Sequence, residues 1–591
     1  MNLQTWNSPR PCVDGVPELR QNPGVESPEL VPTMLEPKPH RPLWRRLLKW
    51  FLWLVGSLFG LLLVLAVVGW WMWGSGRIMK WMMIRGATDT EATAPSERPW
   101  PPTGTPPGVQ PADTWPGPRE RLNGVGSAAG FYRGTNIWEV ELAFTGDEWE
   151  ELQPKANPPG VNIADPPTKF PLRNPAAARN GLAGVLGLSQ PWSTARVVVG
   201  GQEFTNVSVR LKGNGTFVGS LATYKRPFKV DFGRKANGRR IAGFQVLNLN
   251  NLIADFSGVS DAMGYGFYRR AGVPAPRTAF GRFLLAVEGK FARRPLGLYA
   301  LVENLDDEWA REVFGGREVV LFKPVTYELF ADLGTNWSAY EGIYDPKNPV
   351  TVAHQSRVME TARFVSRTSD TEFNARVGEF FDLPEVARFV AVTSLLSSYD
   401  GFLSNGQNFV MYLDAASGRF GFIPWDLDQA WGSFPLIGTR RERETASIRR
   451  PWVADHGLLE RLFAAATFRE LYLREYERIF REQFDVGRLT AEAGSLAALI
   501  RPTVQEESDY RVGRFDRIHE AAWPEDEPEP NVSDPFRPVH RLQRFLIRRA
   551  ESVEAQLAGR DPGHEFLTRQ SLLQQPPPPN PGSNSSAGGK R

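Results

Sequence analysis

Between Tyr399 and Gly432 the chain reads YDGFLSNGQNFVMYLDAASGRFGFIPWDLDQAWG. Its carboxylates and amides fall into two clusters. Asp400, Asn405 and Asn408 precede FVMYLD, and Asp426 and Asp428 follow FGFIPW. The two apolar runs read as strands joined by AASGR, and a hairpin brings its outer ends together. Both clusters should therefore face one spot. Hard oxygen ligands gathered in this way make a divalent-cation site of the kind that holds nucleotide phosphates. A single Asp or Asn more often caps a turn, so the weight rests on the whole constellation in this order.

The spacing is more specific than the composition. Asp400 and Asn405 are separated as the Asp and Asn of a kinase catalytic loop are, where the Asp takes the acceptor hydroxyl's proton and the Asn holds a metal ion. Asp426 then falls where a kinase has its second metal-binding Asp, after a short strand pair.

Several elements must position these groups. NIWEVELAF alternates as a strand, and Thr145 is placed to cap a short helix. Residues 195–217 read as a hairpin turning at Gly200-Gly201, followed by a glycine-bearing loop. In that loop Arg210, Lys212, Gly213 and Gly215 can approach phosphates, although a short G-x-G alone is a weak signal. KRPFKVDF is a strand carrying Lys225 and Lys229. A helix is expected from about Ser257 to Ala271, stopped by Gly272 and Pro274. A second hairpin turns at Glu288-Gly289 and runs into Glu303 and Asn304. Asp306 starts another helix, and Lys323 in VVLFKP is a further cation. LPEVARFVAVTSLLSSY is a helix that delivers Asp400 to its turn. Residues 450–560 read as mostly helical and carry no ligand cluster.

In order these are hairpin, glycine loop, strand with Lys, helix, hairpin, connector, helices, D-x₄-N loop, strand pair and Asp. That is the element order of a protein kinase. RLKGNGTF, KRPFKVDF, the NLNN run at 248–251, AGVPAPR, GLYALVENLDDEW and above all NGQNFVMYLD…FGFIPWDLDQAWG resemble the spore-coat CotH kinase family over about residues 135–560. The resemblance implies an α+β, bilobal protein-kinase-like fold with a small β-rich lobe and a larger helical one. It also implies phosphorylation of Ser or Thr in a protein substrate, dependent on ATP and Mg²⁺ (or Mn²⁺). Carried over by motif, Asp400 is catalytic, and Asn405 and Asp426 are metal ligands supported by Asn408 and Asp428. Lys229 is the phosphate-binding lysine, with Lys225 close enough to compete. Glu303 and Asn304 lie at the lobe connector beside the base. The lysine's helix partner has no Glu to fill it, and Asp261 is the best acidic candidate. The phosphate loop lacks a full G-x-G-x-x-G.

Composition narrows the alternatives. The chain has 591 residues, 41% of them hydrophobic, and carries Lys+Arg 69 against Asp+Glu 66, a net charge of +3. That balance argues against a nucleic-acid binder. The one cysteine, Cys12, excludes an intrachain disulfide framework, and six scattered histidines argue against zinc. A pseudokinase or surface binding protein on the same fold is the main competitor. Retention of Asp400, Asn405 and Asp426 together favours catalysis. A calcium-binding structural domain would explain the oxygens but not the lysine-bearing strand.

The expected organisation is a Pro-rich cytoplasmic segment (1–43), a transmembrane anchor (44–75), a Pro/Gly-rich linker (76–128), a kinase-like core (129–435), a helical C-terminal part of the same domain (436–562) and a disordered tail (563–591). From Trp50 to Trp73 there is no charge over 24 residues, enough to span a bilayer as a single helix, with tryptophans at both ends. The run is too long, and starts too far from Met1, for a signal peptide. Arg41, Arg45, Arg46 and Lys49 precede it, and Arg77, Lys80 and Arg85 follow, a slight bias toward a cytoplasmic N-terminus. The expected outcome is a single-pass protein with its large domain outside the cytoplasm. A reporter fused after Arg591 that works only in the cytoplasm should be silent, and external protease on spheroplasts should remove the domain. An active reporter with a protected domain would reverse the orientation.

Overall fold

The IWEVELAF run buries nearly every side chain as β1 (Ile137–Phe144). Thr145 ends it and opens the Gly146–Leu152 helix with a capping box to Glu148. β2 (Trp192–Val199) and β3 (Gln202–Leu211) form the expected hairpin, and Gly200 and Gly201 take left-handed conformations at φ +52° and +81°. β4 (Phe228–Asp231), β5 (Val246–Asn250), β6 (Thr278–Val287) and β7 (Phe291–Glu303) complete a closed barrel in the order β1-β2-β3-β4-β5-β7-β6. Closure comes from a parallel pairing of β1 with β6, Ile137 opposite Phe280. The computed structural model describes residues 117, 120–154, 189–220, 223–523 and 540–567, all within the unit Gly69–Arg591.

The β6–β7 hairpin is a wall shared by two cores. In β7, Tyr299 and Leu301 point into the barrel with Phe283 and Val140, while Leu298, Ala300 and Val302 face the helical body. This is the period-two alternation of a strand buried on both sides. Arg282, on β6, is buried and pairs with Glu139 and with Glu506 beyond the Val486–Val504 helix.

The helical body carries its own three-stranded sheet of β8 (Val319–Phe322), β9 (Phe409–Asp414) and β10 (Arg419–Pro424), in the order β10-β9-β8. The expected FVMYLD/FGFIPW hairpin is β9–β10, in register from Asp414 with Arg419 to Phe409 with Pro424. The structure is thus mixed α+β, with a β-rich barrel and a larger, mainly helical body. The predicted anchor at 44–75 lies outside the described residues. Among the described residues no helix is long and apolar enough to cross a membrane.

The Leu383–Leu395 helix positions the polar loop. Asp382 caps it through the Glu385 N–H, and Val386, Phe389 and Val390 are buried along it. Glu385 is itself buried. One of its oxygens accepts the Phe422 N–H at 3.2 Å, and Oε1 has no partner. Burial pushes this carboxyl well above the usual range. The Phe422 amide opposes that effect and nearby Asp382 adds to it. A folded-state value above the unfolded one means that the fold favours the protonated form. The contribution is therefore complete below the unfolded value and lost as pH rises through the folded one. Glu385→Gln should gain stability over the wild type in denaturant melts at mildly alkaline pH and should differ little at acid pH. A destabilising effect at all pH values would overturn this.

Candidate active site

The Leu383–Leu395 helix ends where its carbonyls meet Arg549. This buried guanidinium donates to the carbonyls of Ser394 (2.9 Å), Leu395 (3.3 Å) and Ala446 (2.6 Å). A cation at a helix C-terminus satisfies orphan carbonyls and opposes the helix dipole. Ser397 then turns the chain in the left-handed region, at φ +44°, and delivers Asp400. The Asn408 side chain donates to the Asp400 carbonyl at 2.8 Å and holds the loop closed. Asp400 Oδ1 accepts from Asn405 Nδ2 and, at 3.4 Å, from Gln407 Nε2. Burial raises the Asp400 carboxyl to about 6. The Asn405 hydrogen bond works against that shift and the Asp426 charge reinforces it. The rise comes chiefly from the desolvation of the loop. Asn405 Oδ1 is buried without a hydrogen-bond partner.

Asp426 sits just past β10 with φ +58°, a conformation that costs an L-residue about 1–2 kcal/mol. The Ser260–Arg270 helix holds it there. Asp261 and Tyr265 are four residues apart and share a face. The Asp426 N–H donates to the Tyr265 hydroxyl at 2.8 Å, and the Leu427 N–H donates to Asp261 Oδ1 at 3.0 Å. Asp261 Oδ2 accepts from Asn250 Nδ2 at 3.3 Å, and Asn250 Oδ1 accepts from Lys212 Nζ. A continuous chain of bonds thus joins Lys212 on the barrel to the Asp426 turn. Asp428 is buried, and its carboxyl is raised well above normal by burial and then by Asp426, Asp261, Asp400 and Asp255. Asp261 is raised to about 7, by burial and then by Asp426 and Asp255. So many carboxylates around one point repel each other and invite a cation.

The expected phosphate-binding groups separate into two sets. Lys212 approaches the acids. Its Nζ lies 5.7 Å from the Trp425 ring centroid, and burial lowers its affinity for a proton while Asp426 and Asp261 raise it. Lys229 donates to Asn304 Oδ1 at 3.1 Å, and burial, Arg210 and Lys212 bring it down to about 7. Arg210 lies opposite Lys229 in the β3–β4 ladder, over the Trp192 ring, and donates to the Leu211 carbonyl. Gly213, at φ +76°, presents its carbonyl to Gln190. Gly215 begins the short Gly215–Gly219 helix with open space beside it.

Lys225 points elsewhere. It pairs with Glu507 at 2.6 Å and donates to the Leu298 carbonyl at 3.0 Å. Glu303 is engaged by the Arg277 side chain and backbone. Asn304 bridges Lys229, Asn248 and Asp306.

Asn250, Tyr265 and Gln407 carry parts of this site that the sequence reading did not assign. A signal existed for two of them. Asn250 stands two positions after Asn248 in a strand, and Tyr265 stands one helical turn after Asp261. Gln407 offered none.

The donor set suits Mg²⁺. That ion is usually held by one or two carboxylates together with substrate phosphates, and Asn405 Oδ1 is a buried oxygen with no partner to lose. Among the described residues no three His, Cys, Asp or Glu side chains close into a metal-binding group by themselves.

Inner spore coat protein H of Bacillus subtilis (strain 168) is 22% identical over 298 residues, covering 50% of this chain and 78% of that protein. Residues 209–553 match the family model described as CotH kinase protein, and this segment contains the Lys212–Asn250–Asp261 relay, the Asp400 loop and the Asp426 turn. With more than half of its length matched, the chain belongs to the CotH kinase protein family.

Proposed function

We propose that the protein transfers the terminal phosphoryl group of ATP to Ser or Thr hydroxyls of a protein substrate. In this reading it is a bilobal kinase-like enzyme, anchored in a membrane by residues 50–73 with its large domain outside the cytoplasm. Family membership supports a kinase-type function in general. The observation that carries the finer reading is the partnerless Asn405 Oδ1 beside Asp400 and the crowded carboxylates of Asp426 and Asp428. The acceptor is a protein by analogy with the family.

Asn405, Asp426 and Asp428 would hold Mg²⁺ or Mn²⁺, which supplies charge neutralisation at the phosphates. Asn408 braces the loop from its backbone side. Lys212 binds phosphate oxygens. We assign this role to Lys212 ahead of Lys229, because Lys212 is tied through Asn250 and Asp261 to the Asp426 turn. Lys229 and Arg210 add positive charge behind it, and Asn304 stands at the connector. Asp400 orients the acceptor hydroxyl and takes its proton at Oδ2, since Oδ1 is committed to Asn405 and Gln407. A raised carboxyl is a better proton acceptor than an ordinary one.

Purified protein incubated with labelled ATP, Mg²⁺ or Mn²⁺ and a generic protein acceptor tests the reading. Asp400→Asn should still bind nucleotide but lose transfer by about 10²–10⁴-fold. Asp426→Ala should abolish transfer and also weaken metal-dependent nucleotide binding. Lys212→Met should lose most activity, whereas Lys225→Met should alter stability through its stranded Glu507 partner and leave nucleotide binding intact. Full turnover in Asp400→Asn would reduce Asp400 to a turn residue. Wild-type protein that binds ATP without transferring phosphate would favour a pseudokinase that engages a partner.

A further inference from the structure

Lys323 lies just past β8, and its backbone is pinned on two sides. Its N–H donates to the Asp345 carbonyl at 3.2 Å, and two residues on, the Val325 N–H donates to the Ile343 carbonyl at 3.0 Å. The same segment abuts the Asp400 loop. The Thr326 N–H donates to the Gly406 carbonyl at 2.9 Å, and a Cβ on Gly406 would fall 1.9 Å from the Thr326 carbonyl oxygen. Only glycine, here at φ +65°, lets the two backbones approach so closely.

The Lys323 side chain is half-buried, with Nζ 5.2 Å from the centroid of Trp425, the ring that Lys212 also approaches. Every other lysine in this region has a partner. Lys212 has Asn250, Lys225 has Glu507, Lys229 has Asn304 and Lys347 has Asp345. Among the described residues Lys323 Nζ has neither a hydrogen bond nor an ion pair. This half-buried ammonium lies by an aromatic ring among Lys347 and Lys212, with Asp426 and Asp345 near enough to act on it but not paired with it, and is underserved. Burial and the neighbouring Lys347 lower it to about 8. A multiply charged anion between the two lysines would relieve both the missing partner and the repulsion.

We infer that Lys323 is a second phosphate-binding residue, gripping the polyphosphate of the nucleotide from the three-stranded sheet while Lys212 grips it from the barrel. The inference rests on the kinase reading of the same site and adds a residue and a ligand part to it. Both ammonium groups approach the Trp425 ring. The Gly406–Thr326 contact sets the grip at a fixed place relative to Asp400.

Calorimetric titration of the full chain in detergent micelles with Mg²⁺ and, separately, ATP, AMP and inorganic tripolyphosphate tests this. Lys323→Met should bind ATP and tripolyphosphate about tenfold more weakly or worse and bind AMP as the wild type does, and Lys323→Arg should recover most of the loss. If the Met variant melts early, Lys323→Gln serves in its place. Wild-type affinity for ATP and tripolyphosphate in these variants would overturn the role of Lys323 and leave the kinase reading standing. A wild type that binds tripolyphosphate but not ATP, with the loss on Lys323→Met, would keep the grip and remove the nucleotide. A wild type that binds neither would overturn both.

Discussion

Asp261 has two carboxylate oxygens, and each is committed in a different direction. Oδ1 takes the amide that follows Asp426, and Oδ2 takes Asn250, which in turn holds Lys212. The barrel, the Ser260–Arg270 helix and the turn after β10 therefore meet at one side chain. Tyr265 adds the second amide of the same turn. The left-handed backbone at Asp426 would relax elsewhere without these two acceptors, because a buried N–H left unpaired costs about 1–3 kcal/mol. Strain at Asp426 and order in the helix are thus two aspects of one arrangement.

Charge is sorted across the site. The lysines and Arg210 come from the barrel and from the segment after β8, and the carboxylates come from the Ser260–Arg270 helix, the Asp400 loop and the Asp426 turn. Asp400, Asp261 and Asp428 hold protons more tightly than usual, and Lys212, Lys229 and Lys323 hold them less tightly. Burial is the largest cause in each case; like charge follows for Asp261, Asp428, Lys229 and Lys323, whereas Asp426 opposes the shift at Lys212 and the Asn405 hydrogen bond opposes it at Asp400. A metal ion on one side and phosphates on the other would neutralise both sets at once, which fits the proposed ligands better than either a cation or an anion alone.

How much of this was legible in the sequence depended on how local the signal was. The β9–β10 hairpin, the Thr145 cap and the Gly200-Gly201 turn are written in adjacent residues, and the structure has them. The helix expected from Ser257 to Ala271 starts three residues later because Asp255 and Ser257 form their own turn, with Asp255 accepting the Ser257 and Ser260 amides. The choice between Lys225 and Lys229 was not legible, because what draws Lys225 away is Glu507, far along the chain. The closure of the barrel was equally hidden. Nothing in NIWEVELAF announces a parallel partner at Thr278–Val287, and nothing in VVLF says that it will join β9.

That closure has a consequence for how the protein is made. β1 is the first barrel strand to be synthesised, yet one of its two neighbours is β6, some 140 residues later in register. The base of the barrel waits longer still, for Glu506 and Glu507 to reach Arg282 and Lys225. Contacts of such sequence separation are slow to form, since the loop-closure entropy is spent before any bond is gained. A ribosome-bound chain truncated before the Val486–Val504 helix would lack one partner each of Arg282 and Lys225, leaving Arg282 to Glu139 and Lys225 to the Leu298 carbonyl. Hairpins of neighbouring strands such as β2–β3 and β6–β7 can therefore form first, and the β1–β6 seam that closes the barrel comes late.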